Sequence, residues 1–385
     1  MYRHVMTLPT FAFAVGVVCL FGFQQVDAQQ VAKKAKKPNV DLVICLDTSG
    51  SMNGLIESAK TKLWDIVNEL AKGKPAPTLR IALLTYGSPS YGPETGFVNK
   101  DLDFTTDLDM VYQKLFALRT NGGTELVARV SKTALDDLDW VEDKRSLRLI
   151  FVCGNERADQ DKQHSLAQVA KEAVKKNVII NTIYCRWNGA KKGEAETWSG
   201  LSALAEGRFV TIDQNKGTVV IATPVDKKLA ELGQKMNKTY VWYGIDGKAR
   251  MLNQLKQDAN AVKLGTGVAA TRATSKAGYL YRMEGACLVD RALADSKFDI
   301  TKVAEKDLPE DLKKLTPKQR VKYLDTKKQE RLSLQKEIAE LSKQRDAFLR
   351  EHNKKNLSKA DQAFDDAIRA TLQTQTKNVG IQLPK

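Results

Sequence analysis

Asp47, Ser49 and Ser51 stand at alternate positions of Asp47-Thr48-Ser49-Gly50-Ser51, so one short loop offers a carboxylate and two hydroxyls. Oxygen donors of this kind suit a hard cation, Mg2+ or else Mn2+ or Ca2+, better than a soft metal. Neutral hydroxyls leave such an ion underneutralised, and an acidic group from a ligand would complete its shell. Two further loops carry suitable groups: Asn121-Gly122-Gly123-Thr124-Glu125 and Gly154-Asn155-Glu156. A plainer reading also exists, in which Asp47 and the serines only cap the helix that follows. Other chemistries lack their residues. Three His in the whole chain and no Cys-x-x-Cys or Cys/His cluster argue against zinc and against His-based catalysis. No glycine-rich phosphate loop follows a strand. Asp47 as a phosphoryl-accepting nucleophile would need a second Asp two residues on, where Ser49 stands.

The elements that must hold these loops are legible as alternation. Apolar runs at 42–46, 79–86, 147–153, 178–185 and 209–212 read as strands, and 99–105 as an antiparallel edge strand. Between them, 107–118, 125–138, 165–176 and 194–205 read as helices, with Thr106 and Asp109 marking one helix start. After the first loop, Leu55, Ile56, Ala59, Leu63, Ile66, Val67 and Leu70 fall on one helical face. Alternating strands and helices imply a doubly wound, Rossmann-like α/β sheet over residues 39–224. Ligands of such sheets sit at the carboxyl ends of the strands, where Asp47 falls.

With these loops, residues 39–223 resemble a von Willebrand factor A domain and its metal-ion-dependent adhesion site. The resemblance implies that Ser49, Ser51 and Thr124 contact a cation directly, with Asp47 as a direct or water-mediated carboxylate. The third loop departs from the family pattern. Thr-Asp-Gly is usual there, whereas this chain has Cys153-Gly154-Asn155, so only Asn155 or Glu156 is left to substitute. The segments after residue 223 are similar to those of exported bacterial proteins that join this domain to a helical tail. A binding protein is implied, not an enzyme, engaging an acidic protein or glycan ligand through the ion.

Residues 1–28 read as a cleaved secretory signal: a basic start, an apolar run over about 11–23, and Val26-Asp27-Ala28. That run falls short of the ~20 residues of a spanning helix, so an uncleaved anchor is the runner-up reading and no transmembrane span is expected after cleavage. The mature protein is expected to be periplasmic or extracellular. Residues 29–38 form a basic linker, 225–300 a small α-rich extension packed on the first domain, and 301–385 a long charged helix followed by a second one. Leu324, Lys327, Arg331, Leu334, Ile338, Leu341, Arg345 and Phe348 take coiled-coil spacing, though three of them are basic. Self-association through this helix and docking on its own domain are both open. Ala363, Phe364, Ala367, Ile368 and Leu372 mark the second helix, 359–374, which would fold back. A net charge of +15 favours anionic partners, but no nucleic-acid motif accompanies it. Cys45, Cys153, Cys185 and Cys287 are expected as buried thiols, three of them inside strands. Tyr240, Trp242 and Tyr243 are expected to pack against the first domain. Two alternatives stand beside the binding protein: an envelope scaffold acting through its coiled coil with a vestigial metal site, and a hydrolase.

Overall fold

The computed structural model describes residues 37–143, 145–186, 188–213, 220–356 and 370–383. The leader and most of the linker therefore lie outside the described residues, as do Ala363, Phe364, Ala367 and Ile368 of the second C-terminal helix. Strands β1 (Asn39–Asp47), β2 (Thr78–Tyr86), β3 (Val98–Thr105), β4 (Ser146–Gly154), β5 (Ile179–Arg186) and β6 (Phe209–Asp213) make one sheet in the order β3-β2-β1-β4-β5-β6. Neighbours run parallel except β3, which is antiparallel to β2 at the edge, as expected for 99–105. Helices α1 (Asn53–Ala71), α2 (Leu108–Ala117), α3 (Val127–Asp136), α4 (Leu166–Lys175) and α5 (Glu194–Leu204) link the strands. The strands are apolar on both sides because each face is covered. Val40, Leu42 and Leu46 of β1 join the core with α1 and α2, while Val43 and Cys45 join the core with α3, α4 and α5. The strand order reverses between β1 and β4, so the loops after Asp47 and Gly154 flank the crevice where doubly wound sheets bind ligands.

Three local readings are corrected. Asp107, not Thr106, caps α2, accepting the amides of Asp109 and Met110 at 3.1 Å each. Helix α3 starts at Val127, two residues later than the periodicity suggested, which leaves Glu125 in the loop. The 239–243 stretch, whose apolar and aromatic run reads as a short strand, forms only an isolated bridge, Trp242 to Cys287. The four cysteines are buried and free, and burial pushes Cys153 and Cys287 up to about 12. They are inert hydrophobes, as expected.

Beyond β6 the chain continues through α6 (Asp226–Asn237), α7 (Gly247–Leu264), α8 (Thr266–Ala277), α9 (Leu288–Ala294), the single turn α10 (Glu310–Lys313) and α11 (Pro317–Asn356). Extension and long helix are not separate bodies: all described residues fall in one compact unit. Helix α8 lies on α1, where Asn68 Nδ2 donates to the Thr271 carbonyl at 3.0 Å and Ser275 Oγ donates to Asn68 Oδ1 at 2.7 Å. Arg272 of α8 is fully buried, paired to Asp109 at 2.7 Å and Asp258 at 2.6 Å, with its guanidinium 4.8 Å from the Trp64 ring centre. A buried cation persists only when its protons are matched in this way.

The coiled-coil reading of α11 is corrected by where its stripe points. Leu324, Arg331, Ile338 and Arg345 are buried against the chain's own extension. Arg331 pairs with Asp290 at 2.6 Å and lies 3.8 Å over the Tyr240 ring, and Arg345 pairs with Asp226 at 2.8 Å. The basic residues that weaken a self-pairing seam are the ones that dock the helix internally. Tyr240 also stacks on Trp242, so these aromatics pack, as expected, though against the extension and α11.

Candidate functional site

Asp47 ends β1 fully buried, and its Oδ1 accepts the Ser49 amide at 2.7 Å, which bends the loop back over the strand end. The Thr48 carbonyl accepts the Asn121 amide at 2.9 Å, fastening the second loop to the first. That loop lies flat on the one after β2. A Cβ on Gly123 would sit 1.2 Å from the Gly87 carbonyl oxygen, so only glycine permits the contact. Gly87 itself has φ +91°, and a Cβ there would approach Asp47 Oδ1 to 2.8 Å. The third loop is held from below by Trp198, whose Nε1 donates to the Glu156 carbonyl at 2.6 Å.

Among the expected site residues, the structure gathers Asp47, Ser49, Ser51, Asn155 and Glu156. The Ser49 and Ser51 hydroxyls are 3.3 Å apart, and Asn155 Nδ2 donates to Ser51 Oγ at 2.8 Å. Thr124, like Ser51, is exposed. Its neighbour Glu125 is the buried one, 6 % exposed, close enough to Ser49 and Glu156 for both to act on its carboxyl. Glu125 closes the second loop, but a helix expected over 125–138 makes an acid at its first residue unremarkable. Its place directly after Gly122-Gly123-Thr124 was the available signal.

The site is crowded with negative charge. Burial pushes the Asp47 carboxyl up to about 8, with Glu125 and Glu156 adding to the rise against the pull of the Ser49 amide. Burial and then Glu156 raise Glu125 to about 7. Asp47 Oδ2 and Asn155 Oδ1 are buried with no hydrogen-bond partner among the described residues. Two acceptors left bare beside paired hydroxyls are a costly arrangement for a cap and a fitting one for a hard cation. Among the described residues, no three His, Cys, Asp or Glu side chains could hold a metal by themselves, so an ion here would rest on hydroxyl and amide oxygens as well.

Comparison with solved structures gives low-identity likenesses. Proximal thread matrix protein 1 from the mussel byssus, whose structure has a zinc-occupied MIDAS motif, is 15 % identical over 47 % of this chain and 43 % of its own, with a TM-score of 0.37. The match thus spans less than half of the mussel protein. The SpRpn10 VWA domain is 17 % identical over 48 % of this chain and all of its own, at a TM-score of 0.35. The vWF domain of the type V pili tip protein Mfa5 from Porphyromonas gingivalis is 14 % identical over 46 % and 91 %, at 0.34. No curated protein matches the chain. The family model of the von Willebrand factor type A domain matches residues 41–218, the span from β1 to just past β6, and this part of the chain belongs to that family.

Proposed function

We propose that the domain is a non-enzymatic binding module that holds a divalent cation, Mg2+, Mn2+ or Ca2+, and through it engages an acidic group on a protein or glycan. The observation that carries this reading is the pair of buried, partnerless oxygens, Asp47 Oδ2 and Asn155 Oδ1, beside Ser49 and Ser51. Asp47, Ser49, Ser51, Glu125 and Asn155 would hold the ion, with Glu156 beside them. Glu125 would supply a second carboxylate in place of the Asp that is missing at position 154 of the third loop. Bound there, the ion would supply a positive centre at the loop surface, where Ser51 and Thr124 are exposed.

The test is calorimetry of the full chain with Mg2+, Mn2+ and Ca2+. Ser49→Ala and Glu125→Gln are expected to weaken binding at least about tenfold, with thermal unfolding little changed, since a lost charge-assisted contact costs about 1.5–3 kcal/mol. Equal metal binding by both variants and the parent would refute the site. Retention on carboxymethyl-dextran beads that a chelator abolishes would support the acidic ligand; retention indifferent to chelator would not. The docking of Leu324, Arg331, Ile338 and Arg345 of α11 on the chain's own extension favours the binding module over a scaffold acting through that helix. Placement outside the cytoplasm rests on the leader, whose cleavage mass spectrometry of the mature protein would reveal.

A further inference from the structure

Helix α7 is amphipathic the wrong way round. Gln254, Gln257 and Asn260 are buried, while Leu252, Leu255 and Val262 are about half exposed, at 54, 46 and 52 %. Ile245, just before the helix, is 98 % exposed. The buried side has a reason: Gln254 contributes its carbonyl and Asp258 its carboxylate to the buried Arg272 of α8, and Gln257 and Asn260 bond each other. The outward side has none within the fold. Leu252, Leu255, Ala259 and Val262 follow steps of three and four residues, so they line one exposed stripe. Lys248, Lys256 and Lys263, all exposed, accompany them, and the acid of the same helix, Asp258, is turned inward onto Arg272 and Lys276.

We propose that this outer face of α7, led by Ile245, docks on an anionic lipid surface. Apolar side chains would enter the headgroup boundary while the three lysines stay among the phosphates. Charge complementarity decides for this occupant. Each lysine near an anionic surface contributes about 1 kcal/mol, whereas a second copy of the helix would bring Lys256 against its own kind. The chain's net charge of +15 acts in the same direction. The isolated, fully protruding Ile245 suits a soft interface better than a preformed protein pocket.

Co-sedimentation of the full chain with vesicles tests it, comparing phosphatidylcholine alone with phosphatidylcholine containing one-third phosphatidylglycerol. The parent is expected to bind the anionic vesicles and release them at high salt. A double variant, Leu252→Ser with Leu255→Ser, should lose about tenfold or more in binding. The triple variant Lys248→Gln, Lys256→Gln, Lys263→Gln should lose the preference for phosphatidylglycerol, on the order of a hundredfold for three lysines. Since all these side chains are exposed, unchanged circular dichroism and melting are expected. Absence of parent binding, or binding that neither variant alters, overturns the proposal. So does a parent dimer that the leucine variant converts to monomer, which would assign the face to a second copy. Metal calorimetry is independent of every arm, so this inference and the cation site fail separately.

Discussion

Asn155 does half the work of an acid. Its amide nitrogen donates to Ser51 while its oxygen is buried and partnerless. Asn155→Asp is therefore expected to strengthen Mg2+ binding about tenfold and to cost the metal-free protein about 1–3 kcal/mol, because it adds a charge beside the already buried Asp47. Calorimetry and urea unfolding in chelator read the two effects, and a variant unchanged in both contradicts the placement of Asn155 at the ion. Gly123→Ala is expected to remove metal binding outright, since its Cβ would displace the Gly87 carbonyl and lift the second loop off the loop after β2, beside Asp47. Here circular dichroism should stay native while calorimetric heat disappears. Asp47, Ser49 and Ser51 were legible because all three come from one loop whose spacing is written in adjacent letters. Glu125 was not, because whether it faces the site depends on a helix starting at Val127, a boundary that periodicity locates only to within a few residues.

At the scale of elements, the strand positions and most helix bounds followed from apolar runs and their alternation, since a sheet covered on both faces demands them. The role of α11 did not. Its basic positions find their acids at Asp290 and Asp226, 41 and 119 residues away, and no local pattern announces such pairs. Arg331→Ala should cost about 3–5 kcal/mol by stranding Asp290 in the interior, and Arg331→Met distinctly less with Asp290→Asn alongside. Urea unfolding measures both; a surface-like loss below about 1 kcal/mol would mean that α11 is not docked as described. The α7–α8 cluster gives a pH dependence. Burial alone would raise the Asp258 carboxyl, but Lys276 and Arg272 hold it below its ordinary value. Its folded pKa lies under the unfolded one, so its stabilisation is complete above the ordinary carboxylate range and is lost as pH falls through the folded value. Asp258→Asn should therefore flatten the acid limb of a stability–pH curve; an unchanged limb would show that other carboxylates set it.

On the scale of the whole molecule, the described end of the chain returns to its first helix. Lys74 and Gln382 exchange backbone hydrogen bonds at 2.9 and 2.8 Å, Ile381 is fully buried, and Gln375 and Asn181 pair their amides at 2.8 and 3.1 Å. Removing residues 370–385 is expected to lower stability by at least about 2 kcal/mol, the worth of one buried isoleucine, which thermal unfolding would register. The clasp also orders events in time. It joins positions more than three hundred residues apart, a separation that adds little to the closure cost but delays the contact. During synthesis, the strands and α1 exist long before their fastening does. The fastening of the turn after α1 is thus added long after the sheet that it steadies, and a chain cut short before residue 370 loses it however well its earlier part has folded.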